Sequence, residues 1–120
     1  MVKRRKKDLE IEFYENIVKE KPNFFQALSC LGDAYTRRGF YKEGLEVDKK
    51  LAKLKPDDPI VHYNFACSLS LIGSLEEAFK KIEEAVLLGY DDFSYILKDP
   101  DLENLRKHPR FEGFFEKIKK

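Results

Sequence analysis

His62, Cys67 and Cys30 are the residues whose side chains could bind zinc or pair as nucleophile and base. Zinc asks for three or four ligands at short spacings, and the chain has neither a C-x-x-C pair nor an H-E-x-x-H helix. His62 therefore reads as a neutral imidazole held between helices, and His108, followed by Pro109, as a cap of the last helix. The carboxylate pairs Asp57-Asp58, Glu76-Glu77, Glu83-Glu84 and Asp91-Asp92 could serve acid and base chemistry only if both members met one substrate. Adjacent helical residues point to different sides, so these pairs read as turn and solvent-facing charges. No phosphate-cradling glycine loop or nucleophile elbow occurs. The expectation is a protein that is not an enzyme and needs no metal or cofactor.

The elements around these residues belong to one small domain. The 120 residues are 42% apolar and 38% charged, enough for an ordinary core and too apolar for a disordered chain. Lysine and arginine number 23 against 22 acids, so the net charge of +1 creates no field that would gather a polyanion. Residues Lys3 to Lys7 are all basic and could touch phosphates or an anionic surface, but nothing aromatic is interleaved with them. They read as a disordered, solvated tail over 1–7, which makes nucleic acid the weaker choice of partner. No apolar run approaches the ~18 residues that cross a bilayer, and the start has no secretory pattern. Two cysteines are too few for a disulfide framework, so the expected setting is the cytoplasm, without membrane insertion.

Periodicity organises residues 8–120. Pro22 and Pro56 stand 34 apart, and laying 25–58 over 59–92 matches Leu31 with Phe65, Gly32 with Ala66, Tyr35 with Leu69, Gly39 with Gly73, Gly44 with Ala78 and Leu51 with Ala85. Large meets large and small meets small, as a helical hairpin requires at its crossing points. The punctuation predicts helices over about 25–38, 41–54, 60–72 and 75–88, with turns at Gly39 and Gly73, Ser74 able to cap, and stops at Pro56 and Gly89. No segment alternates long enough for a strand.

These residues resemble the tetratricopeptide repeat: Leu28, Leu31-Gly32, Tyr35, Gly39, Tyr41, Gly44, Leu51 and Pro56 in one unit, then Phe65-Ala66, Leu69, Gly73, Leu75, Ala78 and Ala85 in the next. His62, where the family prefers a large apolar residue, and Tyr90, in place of its proline, depart from the pattern. The resemblance implies an all-α fold, a short right-handed α-solenoid of stacked antiparallel helix pairs. It divides the chain into a half repeat (8–22), two repeats (25–58 and 59–92) and a C-terminal helical cap (93–120). In the cap, Asp99-Pro100 supplies a helix start, and Phe111, Phe114, Phe115 and Ile118 form an amphipathic closing stripe.

In such a stack the first helix of each unit lines a concave surface and the second forms the back. The first-type helix at 59–72 has no charged residue in 14, where the average composition would place about five, whereas 42–55 is densely charged and includes Asp48. By resemblance the groove presents Gln26, Ser29, Asp33 and Arg37 from the first unit and Ile60, Tyr63, Asn64, Cys67 and Leu71 from the second. Such a strip suits a peptide or helix of a protein partner, with Tyr63 as its largest anchor. Packing of buried helices would produce the same charge depletion. A family variant grips terminal carboxylates with lysine, asparagine and arginine. Here Asn64 and Lys98 match, but Ser29 and Asp33 do not, and Asp33 would repel such a ligand.

The leading helix carries two apolar stripes, Leu9-Phe13-Ile17 and Ile11-Tyr14-Val18, and needs one to pack. Leu9, Phe13 and Ile17 are thus candidates for self-association into a homo-oligomer, unless the helix's tilt buries both stripes.

Overall fold

The computed structural model describes residues 8–120; the basic run Lys3 to Lys7 lies outside them. The chain is all-α, with no strand among the described residues. Its helices are α1 (Leu9–Glu20), α2 (Phe25–Arg37), α3 (Tyr41–Leu54), α4 (Pro59–Leu71), α5 (Leu75–Leu87), α6 (Phe93–Ile96), α7 (Glu103–Arg106) and α8 (Phe111–Ile118), with a 3-10 turn at Pro100–Leu102 before α7. From α1 to α5 each helix packs against the next in chain order, and the 3-10 turn and α7 lie against α4. Sequential packing of this kind is a helical-repeat architecture.

Local chemistry sets the boundaries. Asp8 accepts from the Ile11 amide at 3.1 Å and starts α1, whereas Asp58 accepts from the Ile60 and Val61 amides at 2.9 and 3.4 Å and starts α4, with Pro59 in the first turn. Gly39 and Gly73 take φ of 85° and 83°, the left-handed region that reverses the chain between the helices of each unit. Ser74 precedes α5 but makes no side-chain cap, contrary to expectation. Asp99 does cap the 3-10 turn, accepting from the Asp101 amide at 3.0 Å, and His108 Nδ1 accepts from the Arg110 amide at 3.0 Å in the turn before α8.

Two apolar clusters form the core. One joins Ile11, Leu28, Leu31, Tyr35, Val47, Leu51 and Val61 across α1 to α4, with Tyr14 and Val18 against it. The larger one gathers Tyr63, Phe65, Leu69, Phe79, Ile82, Ile96, Leu102, Leu105, Phe111, Phe115 and Ile118 from α4, α5 and the cap. Burial of this kind supplies most of a helical protein's stability. His62 is buried among the helices: its Nε2 lies 2.6 Å from the Pro56 carbonyl oxygen and its Nδ1 lies 3.0 Å from Glu84 Oε2.

Candidate binding cleft

A cleft of about 240 Å³ opens between α2 and α4. Phe25, Ser29, Gly32, Asp33 and Thr36 come from α2, and Ile60, Val61, Asn64, Cys67 and Ser68 come from α4. Asp48 and Leu51 reach it from α3, Asp58 from the start of α4 and Asp101 from the cap. The 3.6-residue period places Ser29, Gly32, Asp33 and Thr36 on one side of α2, and Ile60, Asn64 and Cys67 on the facing side of α4.

Of the residues expected to hold a partner, Ser29, Asp33, Ile60, Asn64 and Cys67 share this cleft. Gln26, Arg37 and Leu71 lie outside its lining, with Gln26 and Arg37 exposed and Leu71 half-buried. Arg37 instead pairs with Asp33 at 2.8 Å and with Glu10 of α1 at 3.0 Å.

Tyr63 is not a groove anchor. It is 5% exposed, stacks on Tyr90 with ring centroids 4.4 Å apart, and donates its hydroxyl to Asp99 Oδ2 at 2.6 Å. Burial, the neighbouring Cys67 and the Asp99 carboxylate hold its phenol far above the ordinary range, so it remains a donor. Cys67 is likewise buried at the cleft's edge, its thiol 3.6 Å from the same Asp99 oxygen. The cap explains the burial of both. Asp99 is itself buried, and Arg106 fixes the loop around it by donating to the carbonyls of Ile96 and Asp99 at 2.9 and 2.7 Å. Asn104 donates to the Ser70 carbonyl at 3.0 Å, extending the cover along α4. For this stretch of α4, the absence of charge reflects burial under the cap.

The electrostatics of the cleft also differ from the neutral strip expected. Four carboxylates line it, those of Asp33, Asp48, Asp58 and Asp101, and among the described residues no lysine or arginine does. Three of them come from α3, the start of α4 and the cap, not from the two first-type helices whose composition reads as neutral. Asp48, expected on the solvated back, is 6% exposed and accepts the Ser68 hydroxyl, and desolvation lifts its carboxyl from 3.8 to about 7. A signal for it existed in the repeat: its counterpart 34 residues on is Ile82, fully buried, so the slot faces inward in both units.

Cys67, Asp99 and Asp101 offer ligand atoms within 4.8 Å of one another. Burial and the charges of Asp99 and Asp101 push the Cys67 thiol well up, and Asp99 already accepts from Tyr63, Cys67 and the Asp101 amide. The trio is a structural joint between α4 and the cap, and a thiol so disposed is a poor nucleophile.

On the leading helix, Ile11 is fully buried and Tyr14 and Val18 pack on the core, whereas Leu9 and Phe13 are 82% and 59% exposed and Ile17 is half-buried.

Fold and cleft together define an all-α, helical-repeat-like protein with an open acidic groove. No family model matches the chain. It is 32% identical over 109 residues to a chloroplastic protein of Arabidopsis thaliana, a match covering 87% of this chain and 32% of that protein. The chain thus spans about a third of the length of this relative. None of the described helices is long and apolar enough to cross a membrane.

Proposed function

We propose that this protein is a non-catalytic interaction module of tetratricopeptide type, which takes a peptide or helix of a protein partner along the cleft between α2 and α4. The observation that carries the reading is the cleft itself: an open space walled by two successive first-type helices, with exposed Ile60 and Asn64 beside Ser29 and Phe25. Polar groups that fix orientation beside apolar surface that can be desolvated are what a peptide groove requires. The same acids that line the cleft weigh against a free C-terminal carboxylate as its ligand. The reading places the module in an aqueous compartment, the cytoplasm or, as the Arabidopsis relative's name has it, the chloroplast.

A photocrosslinking side chain at position 64 tests the reading in lysate of the source cells. A discrete adduct is expected there and not from position 87, where exposed Leu87 lies on α5. Filling the cleft with Ser29→Trp should abolish the adduct while the circular dichroism spectrum stays helical. Equal labelling from both positions would refute the reading.

Exposed Leu9 and Phe13 favour a second one, in which two copies associate through α1 as a scaffold. Mass measured by sedimentation on dilution should then fall toward the monomer, and Phe13→Ser should leave a monomer throughout. A strict wild-type monomer removes this alternative.

A further inference from the structure

We propose that the groove between α5 and α8 receives helix α1 of a second copy of this chain, so that copies associate head to tail. The proposal rests on the second reading above, self-association through α1, and names the surface that α1 meets.

α1 packs against α2 and buries Ile11, while Leu9 and Phe13 stand bare on its other side. The helical period sets Glu20 on that same face, with Glu12 and Lys19 along one edge of it. All three charged residues are exposed and form no ion pair among the described residues.

At the far end of the packing order, a groove of about 420 Å³ runs between α5 and α8. Phe114 meets Phe79 edge to face with ring centroids 4.8 Å apart, and with Pro109 the two rings make an apolar floor. Exposed Lys80 and Lys117 stand on the rims, one on each helix, and form no ion pair among the described residues; exposed Glu83 lies one turn beyond Lys80. Arg110 and Glu76 already satisfy each other across the groove at 2.6 Å. Gly113 lies in the α8 wall between Arg110 and Lys117. A Cβ there would meet nothing within 4 Å, so no contact inside one copy calls for glycine, and glycine weakens a helix relative to alanine. What the missing side chain does provide is a low point at which another helix can approach closely.

The two surfaces match in charge around an apolar centre. Glu12 and Glu20 bring the sign that Lys80 and Lys117 lack, and Lys19 the sign that Glu83 lacks. Two α1 helices set against each other would instead place Glu12 and Glu20 of one copy among the same acids of the other. In its own copy α1 is held on α2, at the opposite end from α5 and α8, so the contact joins different copies. Each copy offers one helix and one groove, which makes the association heterologous and free to continue past a pair.

Sedimentation velocity of the full chain over rising concentration tests the proposal. The wild type should grow beyond a dimer. Phe13→Asp, which spoils the helix face, and Gly113→Arg, which fills the groove, should each stay monomeric with unchanged circular dichroism, since Phe13 is exposed and position 113 faces open space. Mixed in equal amounts, the two should form a 1:1 dimer and nothing larger, because one keeps the groove and the other keeps the helix face. Lys80→Glu with Lys117→Glu should weaken association at least about tenfold, and mixing that protein with one carrying Glu12→Lys and Glu20→Lys should restore most of it. If Gly113→Arg alone associates as the wild type does, α1 pairs with its own counterpart and only this inference falls. A mixture of the Phe13 and Gly113 variants that stays monomeric overturns it as well. A wild type that is monomeric throughout removes the inference together with the self-association reading.

Discussion

Ser29 and Tyr63 occupy the same place in successive units, 34 residues apart, yet Ser29 borders the open cleft and Tyr63 lies beneath Tyr90 and Asp99. The same contrast holds for Asp33 against Cys67 and for Thr36 against fully buried Ser70. A helix face in a repeat stack has no fixed environment; the next unit along the chain decides it. After the first unit comes another hairpin, which leaves a space between first-type helices. After the second comes the cap, which folds its loop back over α4. One repeat is thereby left as an open wall, and the next is converted into core.

The largest expected effect tests this contrast directly. Tyr63→Ala removes a buried ring and the hydroxyl partner of Asp99, and should destabilise the protein by about 3–5 kcal/mol in urea unfolding. Tyr63→Phe, which loses only the hydrogen bond, should cost about 1–2 kcal/mol. Ser29→Ala at the matching slot should change stability by less than about 0.5 kcal/mol. Comparable losses at 29 and 63 would erase the distinction between open wall and capped core.

Next in size is the pH dependence that Asp48 introduces and Ile82 does not. Its carboxyl is raised from 3.8 to about 7 in the folded protein, so between these values the native state keeps a proton that the unfolded chain gives up. Stability from this group is therefore present at low pH and lost as pH climbs through about 7, by roughly 2–4 kcal/mol in all. Unfolding free energies at pH 5 and 7.5 should show that fall in the wild type relative to Asp48→Asn, which has no such proton to lose. Parallel curves for the two proteins would mean that the carboxylate is well solvated in the cleft.

The course of the chain was legible because local signals set it: glycines at the turns, Pro56 after α3 and the small-residue matches between units placed the four repeat helices to within a residue or so of where they lie. The cleft was half legible. Ser29, Asp33, Ile60, Asn64 and Cys67 follow from helix phase within the repeat, but the burial of Tyr63 and Cys67 does not, because the path of the cap depends on long-range closure by Asp99 and Arg106. The acidity of the cleft went unread for a related reason. Three of its four carboxylates come from α3, the start of α4 and the cap, none of which belongs to the strip whose composition suggested a groove.

The smallest expected effect concerns the crossing points, where Gly44 in the first unit answers Ala78 in the second. A Cβ at Gly44 would come 2.8 Å from Thr36 Oγ1, which donates to the Gly32 carbonyl at 3.0 Å. The obstacle is a side chain that can turn about one bond, so Gly44→Ala trades this crowding against the ~1 kcal/mol that alanine gains over glycine inside a helix. The two should nearly cancel, leaving a change of under about 1 kcal/mol in the wild-type background. With Thr36→Ala alongside, the crowding disappears and Gly44→Ala should stabilise by about 1 kcal/mol, a coupling that a double-mutant cycle reads directly. Ala78→Gly should cost about 1 kcal/mol or slightly more, since Ala78 is fully buried between α4 and α5. An additive cycle at 36 and 44 would mean that α2 and α3 move apart to admit the methyl group, and that their close approach comes from the rest of the interface.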